Sequence, residues 1–229
     1  MKTIGLIGGM SWESTAVYYR LINEEVNAIL GGLHSAKIIL SSVDFAEVEQ
    51  YQSLGDWEKA GQALAIEAQK LQQAGADFIV ICTNTMHKVA PIIQSAISIP
   101  LLHIADATAE KIKEKKIKTI GLLGTKYTME QDFYKENIIQ HGIHVIVPQI
   151  KERTEINRII YEELCLGAIN GPSKEYYVRA IQHLIEAGAE GIILGCTEIG
   201  LLVKEGDVSV PLFDTTRIHA KAAVVEALG

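Results

Sequence analysis

Short apolar runs rich in Ile, Val and Leu recur along the chain at about 3–8, 36–43, 77–82, 100–104, 118–123, 143–148, 190–195 and 210–213. They are too brief for helices and mostly bounded by Gly or Pro, which predicts strands buried on both faces of a parallel sheet. Between them, stretches at about 12–30, 57–74, 86–96, 106–115, 129–141, 151–167, 173–187 and 215–228 place apolar residues at helical spacing. Glu, Lys and Gln fill the opposite faces, as in helices that cover a sheet. The alternation predicts an α/β architecture with helices on both sheet faces.

The pattern also repeats. Lys2-Thr-Ile-Gly-Leu-Ile-Gly returns as Lys118-Thr-Ile-Gly-Leu-Leu-Gly, and the stretch Leu71 to Thr83 returns as Leu184 to Cys196. Ile99-Pro100 is echoed by Val210-Pro211. Matches in the same order at nearly equal offsets predict two copies of one structural unit. The expected organisation is two pseudo-symmetric Rossmann-like lobes, 1–98 and 99–212, with a final helix at 213–229 packing back on the first. Open parallel sheets bind ligands at the carboxyl ends of their strands, so the active site is expected in a cleft between the lobes.

Composition narrows the function classes. The chain has 229 residues, is 48% hydrophobic and 21% charged, and carries a net charge of −7. These values describe an ordinary globular protein without the basic surface that nucleic acid requires. No apolar run approaches the ~18 residues of a membrane span. Cys82, Cys165 and Cys196 form neither a disulfide framework nor a metal-ligand spacing, so a reducing cytoplasm and no metal are expected. The N-terminal run lacks a small-residue cleavage site, and its recurrence at 118–122 favours a strand over an export signal.

The repeat aligns Thr83 with Cys196, and Asn84 and Thr85 with Thr197 and Glu198. Each trio stands where an apolar strand gives way to a helix or turn. Cys196 is either a small buried hydrophobe or a reactive thiol near free backbone N–H groups, a setting expected to lower its pKa toward neutrality. Period-2 alternation turns Cys82 away from Thr83 into the core, and Cys165 reads as helix packing. Asn84, Thr85 and Thr197 are either helix caps or groups that hold a carboxylate. Thr125-Lys126-Tyr127-Thr128 is another strand-to-helix turn of this type, with Gly8-Gly9-Met10-Ser11 as its counterpart in the first lobe. The glycines at 5, 8 and 9 do not spell the dinucleotide fingerprint. His87 and His103 near strand ends read as satisfying local hydrogen bonds.

Gly-Leu-Ile-Gly-Gly-Met at 5–10, Cys-Thr-Asn-Thr-Met-His at 82–87 and Gly-Cys-Thr-Glu at 195–198 resemble the aspartate/glutamate racemase family over essentially the whole chain. The resemblance is strongest to its broad-specificity amino-acid racemases. It implies a cofactor-independent isomerase, an amino-acid substrate, a homodimer and a two-base proton transfer at Cα. Cys196 matches the family's second catalytic cysteine. Thr83 stands where the first is usual, so the two directions are expected to differ. Met10, Gln52, Asn84, Thr85, Thr125, Lys126, Thr128, Thr197 and Glu198 are the implied substrate-binding residues. The stretch 43–52 has no Arg or Lys, and Cys165 aligns with a position where an acid-specific member has Lys, so a neutral polar side chain is expected on the substrate. Alternatives are a one-cysteine decarboxylase of the same superfamily, separated by carbon dioxide release, and a non-catalytic amino-acid-binding module, separated by binding without α-proton exchange.

Overall fold

A computed structural model describes residues 1–229. In chain order the elements are β1 (Ile4–Gly8), α1 (Trp12–Leu30), β2 (Ile38–Ser42), α2 (Phe45–Leu54), α3 (Trp57–Gln73), β3 (Phe78–Ile81), α4 (Ala90–Ser95) and β4 (Leu101–Leu102). There follow α5 (Ile104–Glu114), β5 (Thr119–Gly124), α6 (Lys126–Glu130), α7 (Asp132–Gln140), β6 (His144–Ile146) and α8 (Ile150–Glu162). The chain closes with α9 (Gly171–Glu186), β7 (Ile192–Gly195), α10 (Ile199–Leu202), β8 (Leu212–Asp214) and α11 (Thr215–Leu228). Every predicted strand is present, and the two sheets share one wholly parallel plan, β2-β1-β3-β4 and β6-β5-β7-β8.

Two compact units result: Met1–Ile104 with His219–Gly229, and Ala105–Ile218. The first runs past residue 98 because β4 pairs with β3 and belongs to its sheet. Helix α11 begins in the second unit and ends in the first, since 213–218 stay with the second.

In the first unit, strict alternation sorts side chains to two faces. Ile4 and Leu6 of β1 join Phe78, Val80 and Cys82 on one face, against Tyr18, Ile22 and Val26 of α1 and Ala220, Ala223, Val224 and Ala227 of α11. Ile7, Ile79 and Ile81 take the other face, against Leu64, Ala68 and Leu71 of α3. Burying such a side chain contributes roughly 1.5–3 kcal/mol, so each central strand is held from both sides. In the second unit Leu123, Ile192 and Leu194 pack against Ile156, Ile160, Tyr177 and Ile181.

Helix boundaries follow local chemistry. Ser11, Asp44 and Asp56 cap α1, α2 and α3 by accepting from the backbone N–H groups of Ser14, Ala46 and Lys59. Helix α2 has no counterpart among the predicted helices, because it buries only Val48 and Gln52 fully, with Phe45 and Tyr51 packed partly against the core. The predicted helix at 129–141 is two helices, α6 and α7, with extended backbone at Gln131 between them.

Candidate active site

The carboxyl end of the first sheet is built from backbone bonds that leave little freedom. Gly9 has φ +94° and lies against Val43, whose carbonyl oxygen would be 2.1 Å from an added Cβ, so only glycine fits. Its N–H donates to Thr15 Oγ1 at 2.8 Å, and that hydroxyl donates to the Ser11 carbonyl at 2.9 Å. Ser14 Oγ donates to the Cys82 carbonyl at 2.8 Å, while the Cys82 N–H donates to the Ile7 carbonyl at 2.9 Å. The turn after β1 is thereby fastened to the turn after β3.

Thr83 follows at once and is half-buried. Its carbonyl accepts from His87 Nδ1 at 2.8 Å, and the Asn84 carbonyl accepts from the His87 N–H at 3.1 Å. Asn84 and Thr85 are buried on the same turn. Gln52, buried on α2, donates from Nε2 to Met86 Sδ at 2.9 Å. Met10 lies in the apolar cluster that holds Met86 and Val48. Thr83, Asn84 and Thr85 therefore share one turn, and Gln52 and Met10 reach the same neighbourhood through Met86.

The second unit repeats the plan with different chemistry. Gly124 of β5 and Gly195 of β7 are register partners. A Cβ on Gly124 would stand 2.9 Å from the Gly195 carbonyl oxygen, so glycine lets the two strand ends approach. Thr125 caps α6, its Oγ1 accepting the Thr128 N–H at 3.4 Å and lying 3.2 Å from Thr128 Oγ1. Both threonines are buried. Lys126 has an exposed side chain, while its N–H donates to Asn157 Oδ1 at 2.8 Å.

Beside this turn stand Cys196, Thr197 and Glu198. Glu198 is 6% exposed and accepts on a single oxygen, Oε2, from Cys196 Sγ at 3.0 Å and from Thr197 Oγ1 at 2.5 Å. This corrects the electropositive setting expected for Cys196. Burial pushes the thiol well above its ordinary range, the Glu198 charge pushes it further, and the Glu198 backbone N–H only partly opposes them. The resting sulfur is a thiol donating to a carboxylate. Tyr177, fully buried, donates to the Ile156 carbonyl at 3.1 Å, and burial followed by the charges of Cys196 and Cys165 raises its phenol. Cys165 packs against the core of this unit. Cys82 is fully buried among Phe78 and Val80, and burial alone raises its thiol.

Sequence reasoning missed Ser14, Thr15 and Asn157, whose side chains bond the turns from neighbouring helices. Only the serine and threonine opening α1, after Gly8-Gly9, hinted at such a role. No group of three His, Cys, Asp or Glu side chains is arranged to hold a metal ion, and no helix is long and apolar enough to cross a membrane.

Comparison with known proteins places this plan. The chain is 25% identical to the broad specificity amino-acid racemase RacX of Bacillus subtilis, over 96% of each chain. A crystal structure from Yersinia pestis, described as a candidate Asp/Glu racemase, is 61% identical over the full length of both chains with a TM-score of 0.95. An aspartate racemase homologue from Pyrococcus horikoshii is 39% identical, again over both full lengths, with a TM-score of 0.88. The family model for Asp/Glu/hydantoin racemases matches residues 7–223, and with two like-ordered parallel sheets and a polar turn at the end of each third strand, this chain belongs to that family.

Proposed function

We propose that the protein is an amino-acid racemase that exchanges the α-proton between two side chains, Thr83 and Cys196, without a cofactor. The observation that carries the reading is the Cys196 thiol, half-buried at a strand end and 3.0 Å from a carboxylate able to take its proton. A core cysteine such as Cys82 has no such acceptor among its apolar neighbours.

Cys196 enters as the acid. In one direction its proton passes to Cα of a carbanion formed on the opposite face. In the other, the Sγ proton first moves to Glu198 Oε2, and the thiolate then takes the α-proton. The raised pKa of the resting thiol makes that second route demanding. A substrate ammonium group near Glu198 offsets the carboxylate charge and brings the thiol down, so binding and activation coincide. Asn84, Thr85, Thr125, Thr128 and Thr197 supply hydroxyl, amide and backbone donors for the substrate carboxylate. Met10, Gln52 and Lys126 face its side chain, with a neutral polar group the best match. Thr83, a weak base at neutral pH, serves the slower direction.

The test is a panel of L- and D-amino acids in D2O, followed by NMR at Cα. Exchange with inversion for at least one pair, lost in Cys196→Ser while the circular dichroism spectrum is kept, is the expected result. Full exchange in that variant removes the thiol from the chemistry. Carbon dioxide release without inversion selects a decarboxylase, and binding without exchange selects a binding module.

A further inference from the structure

The buried histidines of the first unit are unused by the two-base chemistry, yet one of them, His87, bonds the Thr83 carbonyl. His87 is 1% exposed. Its Nε2 accepts the Ile104 N–H at 3.2 Å, and a backbone N–H can only donate, so Nε2 carries no proton. The ring proton therefore sits on Nδ1, which donates to the Thr83 carbonyl at 2.8 Å. His219, fully buried, is fixed in the opposite sense. Its Nε2 donates to the Leu102 carbonyl at 2.9 Å, and its Nδ1 accepts from the Tyr18 hydroxyl at 2.9 Å. The His87 ring meets those of His103 and His219 edge-on, with centroids 4.6 and 5.5 Å away.

These contacts sit where the chain leaves and re-enters the first unit, at Ile104 and at His219. The Thr83 turn is thus joined through one imidazole to the backbone at the first crossing. The ring of the residue that opens the second lies edge-on to that imidazole. Ser14 and Ile7 hold Cys82 at the start of this turn, the Asn84 carbonyl takes the His87 backbone N–H, and the His87 ring acts on the Thr83 carbonyl itself.

We infer that His87, as its Nδ1–H tautomer, is a positioning residue that fixes the Thr83 backbone, and with it the hydroxyl, for proton transfer. The inference rests on the two-base reading above. A hydroxyl that is already a weak base tolerates misplacement poorly, because proton transfer falls steeply with donor–acceptor distance. The Cys196 direction carries no such dependence on His87.

Two substitutions separate the ring's two bonds. Asn at this position presents an amide N–H close to where Nδ1 lies and keeps the donor to Thr83. Gln reaches the Nε2 position, accepts from Ile104 and loses that donor. The measurement is α-proton exchange in D2O from each enantiomer separately. The enantiomer whose exchange survives Thr83→Ala reports on the Cys196 side. In His87→Gln, exchange from the other enantiomer should fall at least tenfold, with the Cys196-side rate held within about twofold. In His87→Asn most of the lost rate should return. Equal losses on both sides, an Asn variant as poor as Gln, or no change in either overturns the role. Should His87→Gln fail to fold, 15N NMR of the wild-type imidazoles decides: Nδ1–H at His87 supports the assignment, and Nε2–H ends it. A wild-type protein that exchanges neither enantiomer defeats the two-base reading and this role with it. Exchange that responds symmetrically defeats this role alone.

Discussion

The turn after β3 and the turn after β7 are copies of one design, and they have diverged in opposite ways. Around Thr83 the backbone is secured from outside, by Ser14 of α1 and by His87, while the side chain is a plain hydroxyl. Around Cys196 the side chain itself is engaged, by a carboxylate two residues along the chain. The first turn is bonded through its backbone and carries a weakly acidic hydroxyl. The second carries an intrinsically more acidic thiol, raised first by burial and then by the Glu198 charge. The two sheets present equivalent strand ends, and on the proposed function the side chains at matched positions decide which is the better acid–base group.

Equalising the two turns gives the largest expected effect. Thr83→Cys should raise kcat in the slower direction by on the order of a hundredfold, bringing the two directions together. Racemisation has an equilibrium constant near one, so kcat/KM stays matched and the asymmetry shows in kcat and KM separately. Unchanged asymmetry in progress curves from each enantiomer would argue against the pairing of Thr83 with Cys196.

Acid stability distinguishes the units next. Burial lowers the His219 pKa to about 4 in the folded chain, against 6.5 unfolded. The unfolded state therefore binds the proton first. His219 contributes stability that is present above pH 6.5 and lost as pH falls toward 4. The loss by pH 5 amounts to about 2 kcal/mol from this residue alone. His87 is depressed in the same direction, chiefly by burial. His219→Gln should flatten the urea-unfolding free energy between pH 7 and 5, and an unaltered slope would sink the assignment.

A smaller effect concerns the acceptor. Glu198→Gln removes a charge that raises the Cys196 thiol, so the pH midpoint of iodoacetamide alkylation should move down and the rate at pH 8 rise several-fold. Desolvation remains, so the thiol stays above its ordinary value. A midpoint that stays put or climbs would show that the carboxylate does not govern the sulfur. The smallest effect is at Cys82→Ala, which should cost about 1 kcal/mol of stability and leave alkylation of the native protein unchanged.

The strands and the internal repeat were legible because buried parallel strands leave a continuous apolar run, and two copies of it are hard to miss. Helix α2 was not, because one of its two buried residues is the polar Gln52 and its other core contacts, Phe45 and Tyr51, are only partly covered. The position of Cys196 after β7 was readable from the run Ile-Ile-Leu-Gly, but its electrostatics were not. A strand end suggests free N–H groups, whereas burial first and the Glu198 carboxylate folded back on the sulfur second raise the thiol. His87 was read as satisfying a local hydrogen bond, and its Nδ1 does so with Thr83. That its other nitrogen reaches Ile104 depends on tertiary packing that no spacing encodes.

The first unit includes Ala220, Ala223, Val224 and Ala227, drawn from the last turns of the chain onto Ile4, Leu6 and Tyr18. The first unit is therefore discontinuous, and its core is complete only once residues 219–229 pack onto it. Removing those residues should leave the apolar face of β1 covered by α1 alone, and the first unit prone to capture by chaperones and to aggregation.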